Sequence, residues 1–150
     1  MPDGLTDNKQ FMKMLKIIYW TSTGLVSVIM LYSVFVYIAD PEIDEIFHHL
    51  GYPSYLRVEL AVGKMIGIIL LLGPFPGWLK EWAYGSFVVV FISALIAHTV
   101  SGDPLVACLI PVLILLVHLG SYISYRLLIT KKVIWEAAMN KHYEQGTEFE

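Results

Sequence analysis

Seven ionisable or hydrogen-bonding side chains lie in or beside apolar runs and are the first candidates for chemistry. They are Glu59, Lys64, Glu81, Tyr84, His98, Asp103 and His118. A charged side chain that faces lipid at mid-membrane depth costs about 2.5–3.5 kcal/mol or more, so Glu59 and Lys64 are expected to face the interior of a helix bundle. This pattern favours a ligand pocket or a proton path, and the alternative is a buried polar network that fixes helix register.

The positions of these residues along predicted hairpins place some of them together. Reflection about the turns near residues 75 and 102 puts Lys64 level with His118 in the middle of the membrane. His98 falls near the outer end beside Asp103, roughly 15 Å from His118 by the helical rise, so a haem held by both histidines is not expected. For both histidines, a packed or hydrogen-bonded role is the alternative to ligand binding. Glu81 begins a predicted helix, where the macrodipole favours an acid for structural reasons alone.

The sequence contains no complete catalytic set. It has no glycine-rich phosphate loop, nucleophile elbow or zinc motif. Asp44 with His48, and Glu45 with His49, have the i,i+4 spacing of a surface metal site. Without a third ligand, a solvated polar face is the stronger interpretation, and no metal is predicted.

The composition is that of a membrane protein. Of the 150 residues, 57% are hydrophobic and 15% are charged, against roughly 25% charged in soluble domains. The formal net charge of −3 and the absence of a basic cluster argue against a nucleic-acid partner. The single cysteine, Cys108, excludes an internal disulfide and is interpreted as a packed apolar side chain.

Four apolar runs are long enough to cross a bilayer, so we expect an all-α, integral membrane four-transmembrane-helix bundle in a single domain, residues 1–150. The spans are predicted at about residues 17–39, 55–72, 82–100 and 105–125, with a cytoplasmic tail at 131–150 whose residues 144–150 are expected to be disordered. The first run has spanning length, which argues against a cleavable signal peptide. Its small polar residues, Thr21 to Ser27, predict a helix-packing face, with a binding groove as the alternative.

Two breaks and one short segment complete the predicted bundle. Residues 42–50 alternate apolar and charged side chains at helical spacing, which predicts a short interfacial helix between spans one and two. The segment from Gly73 to Gly77 contains two prolines and separates spans two and three. At the next boundary Gly102 is expected to end one helix and Asp103 to cap the following one.

Lysine and arginine residues predict the orientation. Residues near 9–16, Lys80 and residues 126–132 fall on one side of a four-span arrangement, whereas the acidic residues of 40–45 and Asp103 fall on the other, with Arg57 as the exception. The positive-inside rule then puts both termini in the cytoplasm.

Several motifs together resemble the DoxX-like family of small four-helix bacterial membrane proteins. They are Leu50-Gly51-Tyr52-Pro53, Gly63-Lys64-Met65-Ile66-Gly67, Lys80-Glu81-Trp82-Ala83-Tyr84-Gly85, and His98 followed by Gly102-Asp103. The resemblance covers roughly residues 30–125 and implies a location in the bacterial inner membrane. It gives weight to Pro53, Lys64, Glu81, Tyr84, His98 and Asp103, and departs from the family at Val90, where many members carry an aspartate. Members span several classes of function, so the resemblance does not select one.

Two functions from different classes remain. The first is a non-enzymatic membrane protein that binds a partner protein or an apolar ligand, with Glu59, Lys64 and His118 lining a polar intramembrane pocket. The second is a quinone-linked subunit of an oxidoreductase system, in which Lys64 or His98 donates to a quinone carbonyl near Trp82 and Tyr84. No other cofactor is predicted. The small-residue faces would allow a homodimer, but they serve packing within one chain equally well.

Overall fold

The computed structural model of the chain is all-α. The described backbone covers residues 3–147, and the described side chains are those of residues 9–138. Within this part the chain forms five helices: α1 (Asp3–Ala39), α2 (Glu42–His49), α3 (Ser54–Leu72), α4 (Gly77–Val100) and α5 (Leu105–Thr147). The expected disorder is therefore wrong for residues 144–147, and residues 148–150 lie outside the described residues.

The four long helices pack in a ring. Helix α1 contacts α3 and α5, and α4 contacts the same two helices, so that α3 and α5 lie across a diagonal of the bundle. Short connections make neighbouring helices antiparallel. The short helix α2 packs on α3 and buries one side chain, Phe47, whose ring meets that of Tyr37 at 5.1 Å between centroids.

Two glycines end helices by the same mechanism. Gly51 and Gly102 have positive φ angles of 79° and 72°, which an L side chain rarely adopts. The amide after each glycine donates to a carbonyl five residues earlier, from Tyr52 to Phe47 and from Asp103 to His98, at 2.8 and 3.1 Å. Both are left-handed helix caps of the Schellman type, at the boundaries that the sequence predicts.

The third predicted span begins earlier than expected. Helix α4 starts at Gly77, directly after Pro76, rather than near Trp82. A proline ends the preceding structure but does not prevent a helix from starting behind it. The apolar run predicts where a helix enters hydrocarbon, whereas the helix itself continues into the polar boundary.

The surface and the interior have the composition expected of a protein in lipid. Large apolar side chains are exposed along all four long helices, while the buried set includes Thr23, Ser27, Lys64, His118 and Ser121. Three helical segments are long and apolar enough to cross a membrane: Lys9–Ala39, Gly77–Val100 and Leu105–Ala138. Helix α3 has a suitable length, but it carries Arg57, Glu59 and Lys64.

Candidate functional site

The seven predicted site residues do not form one pocket. The structure divides them among the α1–α3 interface, the bundle core, the two ends of the bundle and its outer surface. Lys64 lies at the α1–α3 interface, and Tyr84 and His118 lie in the core. His98 and Asp103 lie together at one end of the bundle, Glu81 lies at the other end, and Glu59 lies on the surface.

Lys64 is buried, as predicted, but it faces α1 rather than His118. Its ammonium donates to Ser33 Oγ at 2.8 Å and lies 3.7 Å from the centroid of the Tyr37 ring. The side chain is 5% exposed, and no carboxylate among the described residues pairs with it. An ammonium has three donors, so a single hydroxyl and an aromatic face satisfy it only in part.

The predicted interior position of Glu59 is wrong. Its side chain is exposed and makes no hydrogen bond or ion pair within the described part of the chain. Residues 59 and 64 are five positions apart, which is about 140° around a helix with 3.6 residues per turn, so they point in different directions. Burial of Lys64 against α1 therefore turns Glu59 outward.

A connected polar cluster occupies the bundle core. Ser121 Oγ lies 2.6 Å from Thr23 Oγ1 and 2.8 Å from the Tyr84 hydroxyl, which joins α1, α5 and α4. His118 Nε2 donates to the carbonyl of Tyr84 at 3.1 Å. Tyr84 and His118 are among the predicted site residues, and the predicted packing role of Thr23 is confirmed by its bond to α5. The sequence pattern does not predict the next member, Ser121, which is a small residue within an apolar run that offers no distinguishing pattern.

At one end of the bundle, a carboxylate joins two histidines. His98 Nδ1 donates to one oxygen of Asp103 at 2.6 Å, and His49 Nε2 donates to the other at 2.9 Å. These hydrogen bonds, first from His98 and then from His49, hold the pKa of Asp103 below its ordinary value. The predicted helix-capping role of Asp103 is wrong, because α5 begins at Leu105 and the described hydrogen bonds of the Asp103 carboxylate come from imidazoles and not from backbone amides. The cluster ties α2 to the α4–α5 turn.

The predicted i,i+4 pairs of α2 do not assemble a metal position. His48 lies 3.8 Å from Asp44, and Ser54 bridges the two side chains at 3.1 and 3.3 Å. His49 turns instead to Asp103. Among residues 9–138, no three His, Cys, Asp or Glu side chains lie close enough together to hold a metal ion.

At the other end, Glu81 pairs with Arg126. The contact joins α4 to α5, and both side chains are about half exposed, at 43% and 54%. Nearby, Lys80 donates to the carbonyl of Leu71 at 3.0 Å. Exposed ion pairs contribute little to stability, so this pair is mainly a positional link between the two helices.

An apolar groove of about 360 Å³ lies between α3 and α4. It is lined by Gly63, Ile66, Gly67 and Leu70 of α3 and by Trp78, Leu79, Trp82, Ala83 and Ser86 of α4. Ile66, Trp78 and Trp82 are exposed, so the groove opens on the outer surface of the bundle. The Ser86 hydroxyl donates its hydrogen to the carbonyl of Trp82 at 2.8 Å, so it is not a hydrogen-bond donor toward the groove.

Two glycines form the floor of this groove in different ways. A Cβ at Gly63 would meet no heavy atom within 4 Å, whereas one at Gly67 would lie 2.7 Å from Cζ of Phe87. Gly67 thus permits close packing of α3 on α4, and Gly63 leaves open space. The spacing of two small residues four positions apart is typical of a tight helix contact, and of these two glycines Gly67 makes such a contact.

Comparison with known proteins gives one match. The family model described as the DoxX-like family matches residues 21–121, which is more than half of the chain. Neither the curated proteins nor the solved structures gave a significant match.

Proposed function

Because this chain belongs to the DoxX-like family, we propose that it is a four-span bacterial inner-membrane protein that binds an apolar ligand in the groove between α3 and α4. It is a membrane protein with helices that can cross a bilayer. Beyond this membrane assignment, we propose the fourth span, the orientation of the chain in the membrane and the ligand.

The length and packing of α3 support its role as the remaining span. Its 19 residues reach about 28 Å, close to the roughly 30 Å of the hydrocarbon core. Arg57 and Glu59 lie within the first two turns, near the boundary, and Lys64 is shielded by α1. Helix α2, which is apolar on one face and acidic at its start, would then lie in the interface.

The charge distribution supports cytoplasmic termini. Lys131 lies over the ring of Phe11, and Arg126 pairs with Glu81, so the basic segments gather at one end of the bundle. Asp103 and the acidic residues of α2 gather at the other end. Lysine and arginine favour the cytoplasmic side. The groove, which involves the second half of α3 and the first half of α4, would then open toward the cytoplasmic leaflet.

The groove is the observation that carries the ligand proposal. Its walls are apolar, its floor is made of glycine and alanine, and its side opens to the surroundings. Ligand sites are usually concave and mostly apolar. The exposed indoles of Trp78 and Trp82 lie at its end near the Gly73–Gly77 loop, and tryptophan favours the membrane boundary. A molecule with a long apolar chain would enter sideways from the bilayer.

A quinone is the alternative ligand, as part of an oxidoreductase system. Trp82 lines the groove, which supports stacking with a ring. Lys64 faces α1 and His98 is bound to Asp103 at the far end of α4, so neither lies in this groove as a donor for a quinone carbonyl. The second alternative occupant is a helix of a partner protein, which small residues would also admit.

The proposal is tested by extracting the protein in native lipid and analysing it by mass spectrometry and absorption spectroscopy. The expected result is a stoichiometric apolar molecule, identified as a lipid by mass or as a quinone by mass and absorption. Gly63→Leu should displace it, because the new side chain would occupy the open floor of the groove.

Gly85→Leu is the matched control. Gly85 is an exposed residue of α4 outside the groove, and a Cβ there also meets no atom within 4 Å. Retention of the molecule by Gly85→Leu and its loss from Gly63→Leu support the proposal. Equal retention by both variants, or a co-purifying protein with no bound apolar molecule, overturns it.

A further inference from the structure

Two buried polar atoms in the bundle core have no hydrogen-bond partner among the described residues. They are Ser27 Oγ on α1 and His118 Nδ1 on α5. The two side chains are only 5% and 1% exposed. Buried polar groups are almost always hydrogen-bonded, so each of these atoms requires an explanation.

The hydrogen bond made by Nε2 of His118 determines whether Nδ1 of the same ring donates or accepts a hydrogen bond. Nε2 lies 3.1 Å from the carbonyl oxygen of Tyr84, and a carbonyl only accepts hydrogen bonds. Nε2 therefore carries a proton. In the neutral imidazole, Nδ1 is then a bare acceptor, and the group that binds it must be a hydrogen-bond donor.

The packing of α1 against α5 places Ser27 and His118 at the same height along the bundle axis. Thr23 is bonded to Ser121 at 2.6 Å, and the helices are antiparallel. Four residues further along α1, Ser27 is therefore opposite position 117, within one residue of His118. The rings of Tyr84, Phe87 and Phe91 pack on the imidazole at 4.9–5.6 Å between centroids, and the one hydroxyl among them, that of Tyr84, is bonded to Ser121.

We propose that Ser27 and His118 form a buried binding site for one small hydrogen-bond donor, of the size and chemistry of a water molecule. The bound molecule donates a hydrogen bond to His118 Nδ1 and makes a second hydrogen bond with the Ser27 hydroxyl. A buried water typically bonds to two to four polar groups.

The site adds a second connection to the polar network of the core. The Thr23–Ser121–Tyr84 chain of hydroxyls and the imidazole already meet at Tyr84, through its hydroxyl and its carbonyl. A molecule bound between Ser27 and His118 would connect the imidazole back to α1. The inference does not depend on the groove, which lies between α3 and α4.

The effect of Ser27→Ala on the thermal midpoint distinguishes an occupied site from two polar atoms that have no hydrogen-bond partner. If the Ser27 hydroxyl holds a bound molecule, Ser27→Ala removes a hydrogen bond and lowers the thermal midpoint by about 2–4 °C. If the Ser27 hydroxyl has no hydrogen-bond partner, its removal leaves the thermal midpoint unchanged or raises it, and this result overturns the proposal. Ser124→Ala is the control, because that buried hydroxyl donates within its own helix, to the carbonyl of Gly120 at 2.9 Å.

A second measurement uses the unaltered protein and does not depend on any variant folding. Magic-angle-spinning NMR of protein with ¹⁵N-labelled histidine in lipid should show the His118 ring protonated at Nε2 and bare at Nδ1. Magnetisation should transfer to this ring from water. His118→Phe identifies the signal. A protonated Nδ1, or the absence of transfer from water, would contradict the site.

Discussion

The two sides of this bundle are held together by different physics. Where α5 meets α1 on one side and α4 on the other, hydroxyls bond across both interfaces, from Thr23 to Ser121 and on to Tyr84. Where α3 meets α4, the described hydrogen bond runs from Lys80 to the carbonyl of Leu71 at one end, and the remaining contact is apolar. Hydrogen bonds hold the interfaces of α5 with α1 and α4, whereas the α3–α4 interface depends on the close packing of Gly67 against the Phe87 ring.

This difference explains why the groove lies where it does. In lipid, apolar side chains gain little by leaving the bilayer, so helices associate through close packing and polar bonds. The α3–α4 pair packs tightly at Gly67, against Phe87, but opens at Gly63. The bilayer molecule that we propose would enter the open part without breaking a hydrogen bond, whereas entry between α1 and α5 would break the bond from Thr23 to Ser121.

The largest effect is expected from filling the tight part of the α3–α4 contact. In Gly67→Leu the first added carbon would lie 2.7 Å from Phe87, so the ring and the helices must shift. Overpacking of this kind costs typically about 1–3 kcal/mol. The free energy of unfolding, measured by SDS titration in mixed micelles, should fall for Gly67→Leu and change little for Gly63→Leu. Equal losses in the two variants would remove the distinction between packed and open glycine.

A smaller loss is expected from the hydrogen-bonded side. Tyr84→Phe keeps the ring that packs on His118 but removes the hydroxyl that bonds to Ser121. The expected loss is about 0.5–1.5 kcal/mol by the same SDS titration, because a neutral hydrogen bond contributes about that amount. Tyr55→Phe is the control, since Tyr55 is exposed and no hydrogen bond is described for it. If both variants match the unaltered protein, the hydroxyl chain does not hold this side.

The smallest effect should come from the Asp103 cluster, and it depends on pH. The pKa of Asp103 in the folded protein is below its ordinary value, so the carboxylate stabilises the fold above about pH 4, the unfolded value. That stabilisation is lost as the pH falls through the folded pKa. The thermal midpoint of the unaltered protein should exceed that of Asp103→Asn at pH 5, and the gap should close toward pH 3. A gap that is independent of pH would show that Asp103 acts without its charge.

The helix ends marked by glycine were predictable from the sequence, whereas the start of α4 and the rotation of the helices were not. Gly51 and Gly102 mark two helix ends because their positive φ angles are a local property of glycine. In a soluble protein, polar residues would also reveal which face of a helix turns outward. Here the exposed and buried faces are both apolar, so that signal is weak.

The candidate residues illustrate this limit. The burial of Lys64 followed from the cost of a charge in lipid, but its partners, Ser33 and Tyr37, depend on how α3 is rotated against α1. Depth matching placed Lys64 level with His118, yet it carries no information about which helices are neighbours, and α3 and α5 are diagonal. The 140° between Glu59 and Lys64 was available from helical geometry and excluded a common direction.

The central claim is that the α3–α4 side admits a bilayer molecule and the α1–α5 side does not. The most direct test is photolabelling of the protein in bilayers containing a lipid with a photoreactive group on its acyl chain, followed by peptide mapping. Labels should concentrate on the groove, at residues 63–70 and 78–86, and Gly63→Leu should reduce them there without changing labelling elsewhere. Labelling spread evenly over the exposed apolar faces of all the long helices, and unaffected by Gly63→Leu, would contradict the account.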